Sequence, residues 1–326
     1  MSPTDGRITI VVPVFQCRDR LASHIEFLKS LCEIGPDFIW VATQSSDDSH
    51  LLSQEAARGI GGKYLEVPAG LYSAWNRGIQ EVQTEFTYIS TVGEFITPEG
   101  LLHMRTILSA LRADLCFSPP RIYPSNKRST AATRHWPVFQ HSKLLSAMSG
   151  KILPISIAAH LQALSGHSCL LGSCSSILFR TECIRENPFP NNYLHYGDTA
   201  WFYNNLCHLK IAFIDNVFST FHVHDFSSRS VSLAHLQTFM EVLATDYQKI
   251  YPSSPFPSLV LDLMSARQAL DHLREPHPYR FWWMDWHAWL WRFKRALLTK
   301  QIHQHLFKYS HDFNASTALA PVEQQG

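Results

Sequence analysis

Gly70-Leu-Tyr-Ser-Ala-Trp-Asn-Arg-Gly-Ile79, followed closely by Phe86-Thr-Tyr-Ile-Ser-Thr-Val-Gly-Glu-Phe-Ile-Thr-Pro98, is the stretch on which the reading of this chain turns. The first part sets a polar Asn76-Arg77 step into a helix that opens after a glycine. The second is an apolar run that breaks into Gly93 and the acidic Glu94. A glycine that lets a ligand approach the backbone, together with a buried strand ending in a carboxylate, builds the wall of a pocket as well as a core.

Working outward, Ile8-Thr-Ile-Val-Val-Pro-Val14 is the β-branched run of a strand buried on both faces of a parallel sheet. A helix is expected from about Asp19 to Cys32, with Leu21, Ile25, Leu28 and Leu31 inward and Gly35-Pro36 as its stop. A second strand over Asp37–Ala42 runs into the polar turn Thr43–Asp48, where Asp48 reads as a helix N-cap or as a ligand. A helix over His50–Arg58, a strand over Tyr64–Val67, a helix over Leu71–Val82 and a strand over Phe86–Ser90 follow. This alternation, in units of about 30 residues, is the pattern of a doubly wound sheet whose ligands bind beyond the carboxyl ends of the strands. Further on, the pattern predicts a helix over Pro98–Arg112, a strand over Asp114–Ser118 and a basic loop over Pro119–Arg134. It then predicts a strand within Leu170–Phe179, a helix opening at Asp198, and strands over Ile211–Val217 and Ser219–Val223.

The 326 residues are 45% hydrophobic and 17% charged, and 28 basic against 27 acidic residues leave a formal charge of +1. That balance excludes a chain built mainly to neutralise nucleic-acid phosphates, so no nucleic-acid partner is expected. Seven cysteines, an odd number without a CxxC pair, read as reduced thiols of an intracellular protein. No signal-type apolar stretch opens the sequence, and no segment reaches the ~18 apolar residues that span a bilayer. The expected location is cytoplasmic, with peripheral contact on the inner face of the cell membrane as the alternative. From about Ser232 the pattern turns helical and ends in Tyr279–Thr299, where Trp282, Trp286 and Trp289 share a broad face. Such a helix packs on the main domain, pairs with a twin subunit as a homodimer, or lies in a membrane interface. The expected divisions are a main domain over 1–230, a helical region over 231–313 and a disordered tail over 314–326.

Taken in order, Ile-Val-Val-Pro-Val-Phe15, the Ser/Asp turn after the second strand, the two opening stretches, and Tyr196-Gly-Asp198 followed by a histidine resemble the family 2 glycosyltransferases over about residues 8–230. The resemblance implies an α/β GT-A fold: a Rossmann-like mixed sheet flanked by helices, with a helical C-terminal extension. It also implies inverting transfer of a hexosyl or N-acetylhexosaminyl group from a nucleotide-sugar donor to a glycan or glycolipid hydroxyl, as in polysaccharide biosynthesis. Diphosphate departure is served in that family by Mg²⁺ or Mn²⁺ on one or two carboxylates, and the acceptor hydroxyl by a carboxylate base.

Carried over by position, Asp198 is the catalytic base and Trp201 an acceptor contact. Pro13 and Phe15, Gln44 near the nucleobase, Gly70 and Tyr72, the Asn76-Arg77 step, and Thr91 with Gly93 face the donor. Glu94 and His222 are the metal or diphosphate ligands. The chain departs from the family in three places. Thr91-Val-Gly-Glu94 stands where an Asp-x-Asp is usual, Gln44 where an Asp meets the base, and Gly197 where a Glu precedes the catalytic Asp. Those losses support an alternative, a catalytically inactive module that binds a nucleotide sugar or glycan.

Overall fold

Strand β1 (Ile8–Val14) forms on its β-branched run and is buried along nearly its whole length. The computed structural model describes residues 6–123, 134–135, 146, 148–155, 157–158, 161, 169–193, 197–206 and 208–222. The expected helical region, its Trp-rich segment, the tail, His224 and most of the Pro119–Arg134 loop lie outside the described residues. All described residues fall in the first of two compact units, Met1–Leu243.

Around β1 stand β2 (Asp37–Ala42), β3 (Lys63–Glu66), β4 (Phe86–Ile89), β5 (Phe95–Ile96), β6 (Leu115–Phe117), β7 (Pro120–Tyr123), β8 (Arg134–His135), β9 (Lys151–Leu153), β10 (Ile177–Arg180), β11 (Ile211–Phe213) and β12 (Ser219–His222). Eight strands make one mixed sheet in the order β3-β2-β1-β4-β10-β6-β11-β9, and β5-β12-β7-β8 make a second. β1 pairs in parallel with β2 and β4, whereas β10 runs antiparallel between β4 and β6. This reversed strand makes the sheet mixed, as the resemblance implied. It also brings the segment before β10 to the edge where β1 to β4 end.

The helices are α1 (Arg18–Leu31), α2 (Ser49–Ile60), α3 (Leu71–Glu81), α4 (Pro98–Leu111), α5 (Thr181–Glu186) and α6 (Gly197–Asn205). The period-two alternation of β1 sorts them between the two faces of the sheet. Ile8, Ile10, Val12 and Val14 pack with Leu21, Leu28 and Leu31 of α1, Ala56 and Ala57 of α2, and Leu101, Met104 and Leu108 of α4. Val11 faces the other way, with Val41, Ala74 and Val82. Gly78 lets α3 lie flush on that face, since a Cβ there would stand 2.5 Å from Val11 Cγ1. Each fully buried aliphatic side chain contributes roughly 1.5–3 kcal/mol to holding these layers together.

Side chains cap both α4 and α2. Thr97 caps α4, its hydroxyl accepting from Gly100 N–H at 3.0 Å with Pro98 in the first turn. The cap of α2 is the side chain of Asp47, which accepts from Ser49 N–H at 3.1 Å, whereas Asp48 takes a left-handed backbone and makes no cap bond. No helix among the described residues is long and apolar enough to cross a membrane.

Candidate active site

The loop after β4 is pinned by a residue the sequence reading passed over. His24 of α1 is fully buried, and Ile25, expected to point inward, packs partly buried against the core. Its Nδ1 accepts from Gly93 N–H at 3.4 Å, so the ring proton sits on Nε2, 3.0 Å from Ser90 Oγ. Burial pushes its pKa down to about 4, so the imidazole stays neutral and rigidly placed. Gly93 turns the loop with a φ of 92°, a region that favours glycine, and Glu94 N–H closes the turn on Thr91 C=O at 3.0 Å.

The turn aims Glu94 inward, where only 4% of it is exposed. Its Oε2 accepts from the hydroxyls of Ser173 and Ser175. Those serines precede β10 in a turn that runs into the 3₁₀ segment Cys174–Ser176, not in the strand expected there. Burial pushes Glu94 up to about 7; the two hydroxyls oppose the shift and the Asp198 charge adds to it. The two carboxylates therefore feel one another although they lie far apart in the chain.

Asp198 opens α6 and is partly buried. Its Oδ1 accepts from Thr199 N–H at 2.7 Å, Thr199 Oγ1 at 3.3 Å and Tyr72 Oη at 3.2 Å. Burial pushes its pKa up to about 6 against the pull of these donors. Cys169 and Cys174 face the same carboxylate, and burial followed by that charge raises both thiols well above their usual range, which keeps them inert.

Tyr72 is 3% exposed. Its ring lies edge-on to Trp75 at 4.9 Å and stacks toward Phe189 at 6.1 Å. It therefore does not offer the open aromatic face expected of a donor contact. Trp201 is corrected on the same ground. At 1% exposure it packs on Phe179 and Phe189 and donates from Nε1 to Asn187 C=O, so its faces are spent on the core.

The expected donor residues divide by location. Pro13, Phe15, Gln44, Gly70, Thr91 and Gly93 sit at or just beyond the carboxyl ends of β1 to β4, with Phe15 49% exposed. Gln44 is exposed and donates to Glu66 Oε1 at 2.6 Å. Asn76 clamps Phe189, donating to its C=O at 2.7 Å and accepting from its N–H at 2.9 Å. Arg77 pairs at the surface with Glu81 one turn on.

His222 is half-buried, stacked on Tyr123 at 5.1 Å and edge-on to Phe95 at 5.8 Å. Among the described residues no three His, Cys, Asp or Glu side chains gather as metal ligands. With Glu94 Oε2 taken by two hydroxyls and His222 held between aromatic rings, the donor set does not fit a ready-made divalent site. A groove of about 500 Å³ bordered by Asp37, Phe38, Gly62, Lys63 and Glu81 lies at the amino ends of β2 and β3. That is the end of an α/β sheet opposite to its ligand crevice.

No protein-family model matches the chain, and no curated protein matches its sequence. Solved structures match in fold. Glucosyl-3-phosphoglycerate synthase from Mycobacterium tuberculosis, in complex with Mn²⁺, UDP and glucosyl-3-phosphoglycerate, aligns at TM-score 0.47 and 14% identity over 74% of this chain and 79% of that one. S. aureus TarS 1–349 in complex with UDP-GlcNAc aligns at TM-score 0.57 and 14% identity, over 84% of this chain and 75% of that one. The same protein in complex with UDP gives 0.56 and 13%, over 84% and 74%. Against a longer TarS structure the match spans 45% of that chain. The chain has the mixed α/β GT-A glycosyltransferase fold.

Proposed function

We propose that this protein is an inverting glycosyltransferase that moves a hexosyl or N-acetylhexosaminyl group from a nucleoside-diphosphate sugar to a hydroxyl of a glycan or glycoconjugate. The observation that carries the reading is Asp198: a carboxylate in the first turn of a helix, close enough for its charge to act on Glu94, in a GT-A fold. With its pKa raised to about 6 it is ionised at neutral pH yet more basic than an ordinary aspartate. In a single displacement it takes the proton of the acceptor hydroxyl while that oxygen bonds to the anomeric carbon. The bond from that carbon to the diphosphate oxygen breaks, and its electron pair leaves with the nucleoside diphosphate. Attack opposite the leaving group inverts the centre.

Glu94 and His24 hold the Thr91–Glu94 loop as the floor of the cleft, and Asn76 holds the Phe189 segment. Pro13, Phe15, Gln44, Gly70, Thr91 and Gly93 are assigned to the donor. These steps use protein groups alone. The absence of carboxylates at positions 43, 44, 91, 93 and 197 favours a second reading, a binding module without turnover.

UDP-GlcNAc, present in one TarS complex, is the first donor to test, with UDP-glucose and GDP-mannose beside it. Release of the nucleoside diphosphate by the wild type, and a fall of about 100-fold or more in Asp198→Asn, is the expected result. Calorimetric binding with no turnover of any donor establishes the module instead, and unchanged turnover in Asp198→Asn removes Asp198 from the chemistry.

A further inference from the structure

We infer that Tyr72 is the positioning residue for Asp198, standing in the space that a side chain at position 197 would otherwise fill. This rests on the reading of Asp198 as the base. Two contacts carry the inference. The Tyr72 hydroxyl donates to Asp198 Oδ1 at 3.2 Å from a helix 126 residues earlier in the chain. A Cβ built on Gly197 would stand 2.4 Å from the Tyr72 ring and 2.6 Å from Pro190 C=O. Ring and glycine are therefore complementary: Gly197 is small because Tyr72 occupies its side-chain volume, and Tyr72 reaches the carboxylate because Gly197 leaves room. A hydroxyl with its pKa well above 10 stays protonated at all working pH values, so it donates and never competes with Asp198 for the proton.

The hydrogen bond favours ionised Asp198, and removing it raises the pKa of the base. The groups facing Asp198 are Tyr72 from α3, Glu94 from the loop after β4, Cys169 and Cys174 from the segment before β10, and Thr199 on its own helix. All but Tyr72 are unchanged in Tyr72→Phe and cancel in a difference against the wild type.

The test measures both proteins in two ways. The acid limb of kcat/KM for UDP-GlcNAc hydrolysis is expected to move up by about one pH unit in Tyr72→Phe. Independently of turnover, the gap between their urea midpoints is expected to widen as pH rises from 4 to 7, because only the ionised carboxylate misses the donor. A purely structural tyrosine gives a gap that does not change with pH, and that result overturns the inference. Tyr72→Met, an apolar filler without a donor, is the second variant. The stability gap judges Tyr72 even in a protein without turnover, whereas Asp198→Asn turnover judges the base, so the two failures are separable.

Discussion

Replacing Glu94 by glutamine isolates the cost of keeping an acid buried in the turn after β4. Glu94 titrates at about 7 when folded and at 4.5 when free. Between those values the folded protein binds the proton and the unfolded chain does not, so this residue's stability is full below pH 4.5 and lost as pH rises through 7. At about 1.36 kcal/mol per unit, the difference amounts to about 3 kcal/mol at pH 8. Glutamine keeps the shape and an oxygen for Ser173 and Ser175 but carries no titration. Its own fit adds a constant offset, so the slope with pH is the informative quantity. Two other groups titrate nearby, Asp198 with the same sign and His24 with the opposite one; His24 cancels in the difference between variant and wild type, and the repulsion between Asp198 and Glu94 is part of the effect read. Urea melts followed by tryptophan fluorescence at half-unit steps from pH 4.5 to 8 give that difference directly. Glu94→Gln should gain about 3 kcal/mol on the wild type across the range. A flat difference would mean that Glu94 is ionised throughout, and the argument from its burial and the Asp198 charge would fall.

His24→Leu fills the same buried space but orphans Gly93 N–H and Ser90 Oγ, which costs about 1–3 kcal/mol for each group left unpaired. Wild-type stability also carries a loss from His24 as pH falls from 6.5 toward 4, and urea melts of His24→Leu should lack that component. Gly197→Ala drives a methyl group into the Tyr72 ring and should lower the thermal midpoint by the equivalent of about 1–3 kcal/mol. Trp201→Phe, losing one buried hydrogen bond, should cost about 1 kcal/mol in a denaturant melt while leaving the acceptor KM where it was; a raised KM would return Trp201 to the acceptor site.

Much of the scaffold was legible because it is written in local patterns. The β-branched run of β1 and the apolar run of β2 gave their bounds to the residue, Pro98 marked the start of α4, and Gly35 closes the 3₁₀ turn Cys32–Ile34 that ends the helical stretch begun by α1. The reversed direction of β10 was not legible, since strand direction is set by partners far along the chain. For the same reason the serines that hold Glu94, 79 and 81 residues away, could not be paired with it in advance. Tyr72 reads from sequence as an aromatic face, whereas its bond to Asp198 spans 126 residues and depends on the room left at Gly197, which no local pattern encodes. His24 did leave a trace: Leu21, His24, Leu28 and Leu31 fall at helical spacing, so a polar ring sits where an aliphatic residue would be routine. The loss of the usual acids at 91, 93 and 197 was read correctly as sequence, but the hydroxyls that gather around the remaining two were invisible.

The reversed strand β10 has a kinetic corollary. Residues 8–123 carry β1 to β4 and the glutamate, whereas the serines and the aspartate arrive only with residues 169–205. Until that later segment threads between β4 and β6, the acid after β4 has no shelter, and a large closed loop separates the two halves. Long-range closure of this kind is slow, so the cleft should be among the last regions to gain amide protection during refolding, well after the β1–β2 pair.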